Sequence, residues 1–414
     1  MTLWSPEWSV SINGSGDVTN ITLANLVITS GRTDIYSQPR AGYCQVEIIN
    51  LNQAPIDMDV NDSVIIKVKD STGTFVNLFG GDVTDVVVEV RSTGTGGITQ
   101  VIRITALGAL AKLPKSLTEG VLSKAFDGDQ IYTILSDLLF GNWNTVPAAE
   151  TWTAYDASQT WADAENVGLG SIDRPGDYEL AARTSSTTDI YSLVSALASS
   201  GLGYIYEDSS GRIGYADSTH RSDYLTANGY VDLSGNTALS AGIATIKRIS
   251  DVRNNVTITY KNGAQTSASN LESIGLYGQQ AQDIQTSIEN LSDAEIQADF
   301  YLGIRAFPQA QFQAITFTLG NPEIDDVDRD ALLNVFMGLP LNITDLPSNM
   351  GAGSFQGFIE GWSFRAGYNR LDLTLNISPT AYSLQAARWN GVSVGETWNT
   401  LSNTLDWLNA AVVA

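Results

Sequence analysis

Two stretches of the chain, one near each end, carry the same order of apolar and polar positions. The first starts at Pro39 and reads PRAGYCQVEIINLN, then DSVIIKVKDSTGTFVNLFGGDVTDV, then ITQVIRITALG. The second starts at Pro308 and reads PQAQFQAITFTLGNP, then GLPLNITDLPSNMGAGSFQGFIEGWSF, then NRLDLTLNISP. In each, an alternating strand stops at an Asn-bearing turn (Asn50 and Asn52; Asn321). An apolar strand and a Gly-rich hairpin follow, then a Phe-led strand holding a glycine, Phe79 with Gly81 and Phe358 with Gly361. The last strand alternates strictly: Ile102 and Ile104 against Val101, Arg103 and Thr105, then Leu371, Leu373 and Leu375 against Asp372, Thr374 and Asn376. Period-two alternation between turns marks half-buried antiparallel strands. Two related β-modules are expected, with Gly81 and Gly361 at equivalent places. A ring of such subunits would present twice as many similar faces as it has chains.

The texture changes between the modules. DGDQIYTILSDLLFGNW spaces Ile131, Ile134, Leu135, Leu138 and Leu139 as a helix, with Asp127 or Asp129 to cap it and Gly141 to stop it. STTDIYSLVSALASSGLG puts Ile190, Leu193, Val194 and Leu197 on one helical face, ends at Gly201 and leads into a hairpin turning at Gly211. Val256, Ile258 and Tyr260 then alternate in a strand. LSDAEIQADFYLGIRAFP reads as a third helix, opened by a Ser292–Glu295 capping box and closed by Pro308. Near the end, Trp398, Leu401, Leu405, Leu408 and Val412 recur at helical spacing among polar residues. A helix that short needs a surface to bury its stripe, so these five are interface candidates. The expected architecture is mainly β with α+β insertions. It runs as a first β-module (1–110), an inserted α/β domain (111–245), a connecting strand and helix (246–307), a second β-module (308–380) and a C-terminal tail with its helix (381–414).

Composition narrows the function. Among 414 residues, 45 are acidic and 22 basic, a net charge of −23 that repels phosphate and argues against a nucleic-acid binder. Hydrophobic residues at 43% supply ordinary cores. Cys44, the one cysteine, lies in an alternating strand and is expected to act as a small core hydrophobe. MTLWSPEWSV has neither a basic nor an apolar leader region. No run reaches the roughly 18 apolar residues of a membrane span. The expectation is a cytoplasmically made protein with no stable membrane insertion.

Catalytic chemistry is sparse. The one histidine, His220, falls in ADSTHRSD, which reads as a solvated loop, and nucleophilic triads or metallohydrolases need more than that. Asp326, Asp328 and Asp330 match the start of a calcium loop, but Ala331 and Met337 stand where Gly and Glu are required. Asp57, Asp59 and Asn61 fail the same test. Both read as solvated acidic turns, and no metal or cofactor is expected. The most enzyme-like cluster is Trp143, Trp152, Asp156, Trp161, Asp163 and Glu165, since indole faces stack on sugars and paired carboxylates hydrolyse glycosides. The plainer role for these tryptophans is a small core or a subunit contact. A non-enzymatic protein is expected; the alternative is a carbohydrate-binding or cell-wall-degrading component using Trp143, Trp152 and Trp161.

The order of the parts resembles the tail-tip (baseplate) hub proteins, also called minor tail proteins, of long-tailed bacteriophages. QPRAGYCQVEIIN with DSVIIKVKDSTGTFVNLFGGDVTDV is similar to that family's first barrel, and IYSLVSALASSGLGYIYEDSSGRIGYAD to its helix–hairpin insertion. VRNNVTITY, DAEIQADFYLGIRAFP and IEGWSFRAGYNRLDLTLNISPTAYS are similar to the connection into its second barrel and to that barrel's body. The resemblance implies two β-barrels and a homotrimer with pseudo-sixfold symmetry at the virion tail tip. It also implies a lumen for tape measure and DNA. The partners would be a distal tail ring, the tape measure and a central spike or fibre. No peptidase, lysozyme-like or fibre segment was recognised.

Overall fold

The computed structural model describes residues 4–14, 16–35, 37–92, 98–143, 169–238, 244–312, 314–350, 353–367 and 370–383. The alternation of the sequence becomes strand faces: in Ser63–Lys69, Val64, Ile66 and Val68 are buried while Ile65 and Lys67 are half-buried. Six strands form the first module: β1 (Trp8–Ile12), β2 (Val18–Gly31), β3 (Tyr43–Asn50), β4 (Ser63–Lys69), β5 (Phe75–Ser92) and β6 (Ile98–Leu107). They pair antiparallel in the order β1-β4-β5-β6-β3-β2, and β1 returns to β2, so the module is a closed barrel.

The second module contains β7 (Val231–Ser234), β8 (Ile315–Thr318), β9 (Pro340–Thr344), β10 (Phe355–Gly367) and β11 (Arg370–Pro379), ordered β7-β9-β10-β11-β8. β7 runs parallel to β9, and just beyond it Ala238 bridges Phe317 of β8, which closes this ring too. The two rings join where Leu26–Gly31 of β2 pairs with Gly361–Ala366 of β10. One continuous core runs through both, with Val46, Ile66 and Ile104 at one end and Phe317, Phe364 and Leu373 at the other.

The shared order β4-β5-β6-β3 and β9-β10-β11-β8 extends to register. Ile66 faces Phe79 in β5 as Ile343 faces Phe355 in β10. Both long strands then carry a β-bulge, Val83 to Asp85 and Ile359 to Gly361, each opposite consecutive residues of the next strand. Val46 opposite Ile104 corresponds to Ile315 opposite Leu375. Aligned on the bulges, the counterpart of Gly81 is Gly357, and Gly361 corresponds to Asp85. The expected match of Gly81 with Gly361 is therefore corrected, because pattern alone paired Phe79 with the wrong phenylalanine. A Cβ on Gly81 would fall on the carbonyl of Leu107 and the ring of Phe79; on Gly357 it would fall on the carbonyl of Ser378 and the ring of Phe355.

The α-helices among the described residues are α1 (Asp127–Trp143), α2 (Ile190–Ser200), α3 (His220–Asn228), α4 (Leu271–Tyr277), α5 (Leu291–Arg305) and α6 (Asp326–Leu333). A second core gathers Ile131, Leu135, Val194 and Leu197 with Tyr215, Val256, Ile258, Ile288 and Ala298. Residues from 246–307 are thus part of the same packed body as the insertion before them. Two helix ends differ from expectation. α5 starts after Asn290 with no side-chain cap, which places Ser292 inside its first turn. α1 continues past Gly141 to Trp143, because an isolated glycine costs a helix only about 1 kcal/mol.

Candidate functional site

The two barrels and the insertion meet at one buried carboxylate, Glu360, 1% exposed at the middle of the β10 bulge. A bulge re-aims a side chain out of the strand's alternation. Here it turns Glu360 toward residues from the other two bodies. Arg32, just after β2 of the first barrel, donates from Nε to Oε2 at 2.6 Å. Arg221, from α3 of the insertion, forks onto both oxygens at 2.8 and 2.9 Å, and Ser378 Oγ donates to Oε1. The backbones also close up, with Arg32 N–H donating to the Glu360 carbonyl at 2.8 Å. Gly31 makes this approach with φ +81°, where a Cβ would meet the Gly361 backbone. The Tyr204 ring lies against both cations, 4.8 Å from the Arg221 guanidinium carbon and 5.3 Å from that of Arg32.

Burial alone would push the Glu360 carboxyl up, but Arg221 and Arg32 outweigh it and hold it at about 2. Its charge is therefore permanent at neutral pH. A cavity of about 220 Å³ opens beside this junction, lined among others by Arg32, Tyr204, Asp217, Arg221, Tyr301 and Arg305.

Two further buried acids brace the insertion: Glu207 ties it to the first barrel, and Asp127 ties its own segments together. Glu207, at the end of the strand Tyr204–Glu207, accepts the backbone N–H groups of Gly42 and Leu110 from the first barrel and the turn after it. Burial, only partly offset by those donors, pushes its carboxyl up to about 7. Asp127, first residue of α1, accepts the Tyr215 hydroxyl and the Tyr178 N–H, and burial pushes it up to about 6. It serves as a buried acceptor of a side-chain hydroxyl, a use the capping pattern does not reveal.

His220 is corrected from a loop residue to the first residue of α3, its Nδ1 2.7 Å from Asp173 Oδ2. Asp326 and Asp328 are corrected from an acidic turn to the first turn of α6, where Asp325 caps through the Asp328 N–H and Asp330 accepts from Ser71. Cys44 is fully buried in the barrel core, and burial raises its thiol. Among the described residues no group of three or more His, Cys, Asp or Glu could hold a metal, and no helix is long and apolar enough to cross a membrane. Trp143 ends α1, its side chain outside the described residues, as are Trp152, Asp156, Trp161, Asp163 and Glu165. Trp398, Leu401, Leu405, Leu408 and Val412 also lie outside them. The Glu360 junction was missed from sequence, although a lone acid inside the apolar FIEGW was a signal available to find it.

The fold has solved counterparts. The chain is similar to the 43 kDa tail protein of prophage MuSo2 from Shewanella oneidensis, at 11% identity and TM-score 0.53, over 91% of this chain and 99% of that one. It is also similar to a tail protein from Neisseria meningitidis MC58, at 12% identity and TM-score 0.59, over 92% of this chain and 98% of that one. No protein-family profile matches the chain, and no curated protein sequence matches it. The fold is therefore that of these phage tail proteins, mainly β with a closed six-stranded barrel, further strands and several helices.

Proposed function

We propose that the protein is a structural, non-enzymatic hub of a phage tail tip, assembling as a homotrimeric ring beneath the tail tube. The observation that carries this reading is the internal duplication. Two modules with one strand order and one register are joined by a strand ladder and pinned by Glu360. A subunit built that way offers six similar modules in a trimer, which suits a hexameric ring above it and a threefold spike or fibre below. The fold likeness to two tail proteins supports the setting. The net charge of −23 supports a lumen through which tape measure and DNA pass without sticking. The chemistry of the junction supports a static role, since its carboxylate is fully paired and holds its charge. Native mass spectrometry of the full chain tests the reading: a homotrimer or a multiple of it is expected, and a strict monomer at tens of micromolar would overturn it. Labelling this protein on virions should mark the tail tip.

A further inference from the structure

The ladder that joins the barrels has no counterpart on β5 among the described residues. In the second module the part of β10 beyond the bulge is covered by β2: Ser30 lies opposite Trp362, Thr29 opposite Ser363 and Ile28 opposite Phe364. The equivalent part of β5 beyond its bulge, from Asp85 to Arg91, pairs only with β6, and its outer edge has no strand among the described residues. The duplicated register makes Val86, Val88 and Val90 the counterparts of Trp362, Phe364 and Ala366. The second-module residues are buried. Val88 and Val90 instead stand 55% and 63% exposed, with Val87 at 49% on the opposite face. An exposed apolar edge strand of this length is a template for another strand.

The structure also contains the strand to fill it. In the first barrel Thr29 of β2 pairs with Tyr43 at the start of β3. Counting back from Val46 and its counterpart Ile315 makes Phe312 the counterpart of Tyr43. Phe312 pairs antiparallel with Thr245 of the short strand Thr245–Ile246, whose other edge is also without a strand among the described residues. Thr245 therefore stands to the second barrel as Thr29 stands to the first. Thr29 belongs to the stretch of β2 that reaches across to the neighbouring module.

We propose that the Thr245–Ile246 strand of one copy adds antiparallel to the free edge of β5 in a second copy of this chain, repeating between subunits the β2–β10 ladder found within one. The register follows from the duplication: Ile246 opposite Val86, Thr245 opposite Val87 and Ala244 opposite Val88. Ile246 with Val86 is an apolar cross-strand pair. Lys247 comes beside Asp85, both exposed, so charge complements at the end of the ladder. Lys247 replaces Gly31, whose positive φ it cannot share at no cost, so the ladder ends at Ile246. The contact is head to tail, and a head-to-tail contact builds a ring when its rotation closes. This rests on the ring reading above and names the surface that makes the ring.

The test uses the full chain carrying Val87→Cys and Thr245→Cys under mild oxidation, read on non-reducing gels beside the native mass. Cys44 is buried, so the background is silent. Intersubunit crosslinks up to one closed species are expected for this pair. An out-of-register pair, Val90→Cys with Thr245→Cys, should crosslink no more than either single variant. A native oligomer in which the 87/245 pair does not crosslink preferentially overturns the proposed edge while the ring reading stands. A monomeric native mass removes both. Val88→Glu gives an independent arm: it should keep the circular dichroism of the parent and lose the oligomer at least tenfold in concentration, and an unchanged oligomer overturns the proposal.

Discussion

Phe79 covers the bare Cα of Gly81, its ring tip 2.8 Å from where a Cβ would stand, and the same relationship recurs between Phe355 and Gly357. The partner strand's carbonyl closes the site from the other side in both modules. Phe-x-Gly is thus one device used twice, an aromatic lying over a glycine just before a bulge. It ties the duplication to side-chain packing as well as to strand order.

Alanine at either glycine should force the backbone apart, since a carbonyl oxygen cannot rotate out of the way as a flexible side chain can. Gly81→Ala and Gly357→Ala are each expected to cost about 1–3 kcal/mol, as overpacked cores do. Gly361→Ala should act differently, because its Cβ would meet the backbone of Arg32 and the carbonyl of Ser30 in the other barrel. Denaturant unfolding followed by hydrogen exchange of β2 should show the Gly361 variant loosening the β2–β10 ladder first. Equal protection of that ladder in all three variants would contradict the assignment.

Glu360→Gln removes the one negative charge between two buried guanidiniums. Breaking a buried pair by deleting one partner costs about 3–5 kcal/mol. The parent should also lose this stabilisation with acid. Its folded carboxyl sits near 2 against an ordinary 4.5, so the contribution is complete above about pH 4.5 and fades as pH falls toward 2. At roughly 1.4 kcal/mol per unit, that is about 3 kcal/mol. Melting temperature against pH should slope in that window for the parent and flatten for the variant.

The strand pattern made the modules legible because alternation is local and each barrel strand buries one face. The alignment of strands β3 with β8 and β6 with β11 could be read that way. The alignment of β5 with β10 could not, since a bulge shifts the period and two phenylalanines, Phe355 and Phe358, compete for the match. Glu360 stood out only as an odd acid in an apolar run. Its partners lie 139 and 328 residues away in sequence, and no periodicity encodes contacts of that separation. His220 and Asp326 were misread for a related reason. Both open helices of only nine and eight residues, too short for apolar periodicity to stand out; His220 also takes its partner, Asp173, from 47 residues away, whereas Asp326 pairs with Arg329 in its own helix.

Glu207 should give pH dependence of the opposite sign. Burial raises its folded carboxyl to about 7 from an ordinary 4.5, so the stability it contributes is complete below about pH 4.5 and is lost as pH rises toward 7. The span corresponds to about 3 kcal/mol at most. Glu207→Gln stays neutral throughout and should remove that decline. Thermal melts between pH 4.5 and 7.5 decide it: parallel profiles for parent and variant would exclude Glu207 as the source.

Deletion of 395–414 removes the amphipathic stripe from Trp398 to Val412. The described barrels do not contain it, so circular dichroism should keep its parental shape while ring assembly or incorporation into tails declines. Parental assembly by the shortened chain would retire these residues as interface candidates.

A hub of the kind proposed would have to let passing DNA go, and the charge arrangement predicts that this chain does not grip it. The chain carries −23, and a trimer about three times that. Many of the described cations are also occupied: Lys67, Lys69, Lys112, Lys124 and Lys261 each lie within 2.9 Å of a carboxylate, and Arg32 and Arg221 are committed to Glu360. Phosphate binding needs free cations that can displace counterions, and each such contact steepens the dependence on salt. The sequence arranges no Lys/Arg stripe that would supply a set of them. Fluorescence anisotropy of labelled duplex DNA should therefore stay flat up to tens of micromolar protein at about 150 mM salt, and nearly so at about 50 mM. Micromolar, salt-dependent binding near physiological ionic strength would mean that an unpaired basic surface exists, and would count against an open, non-gripping lumen.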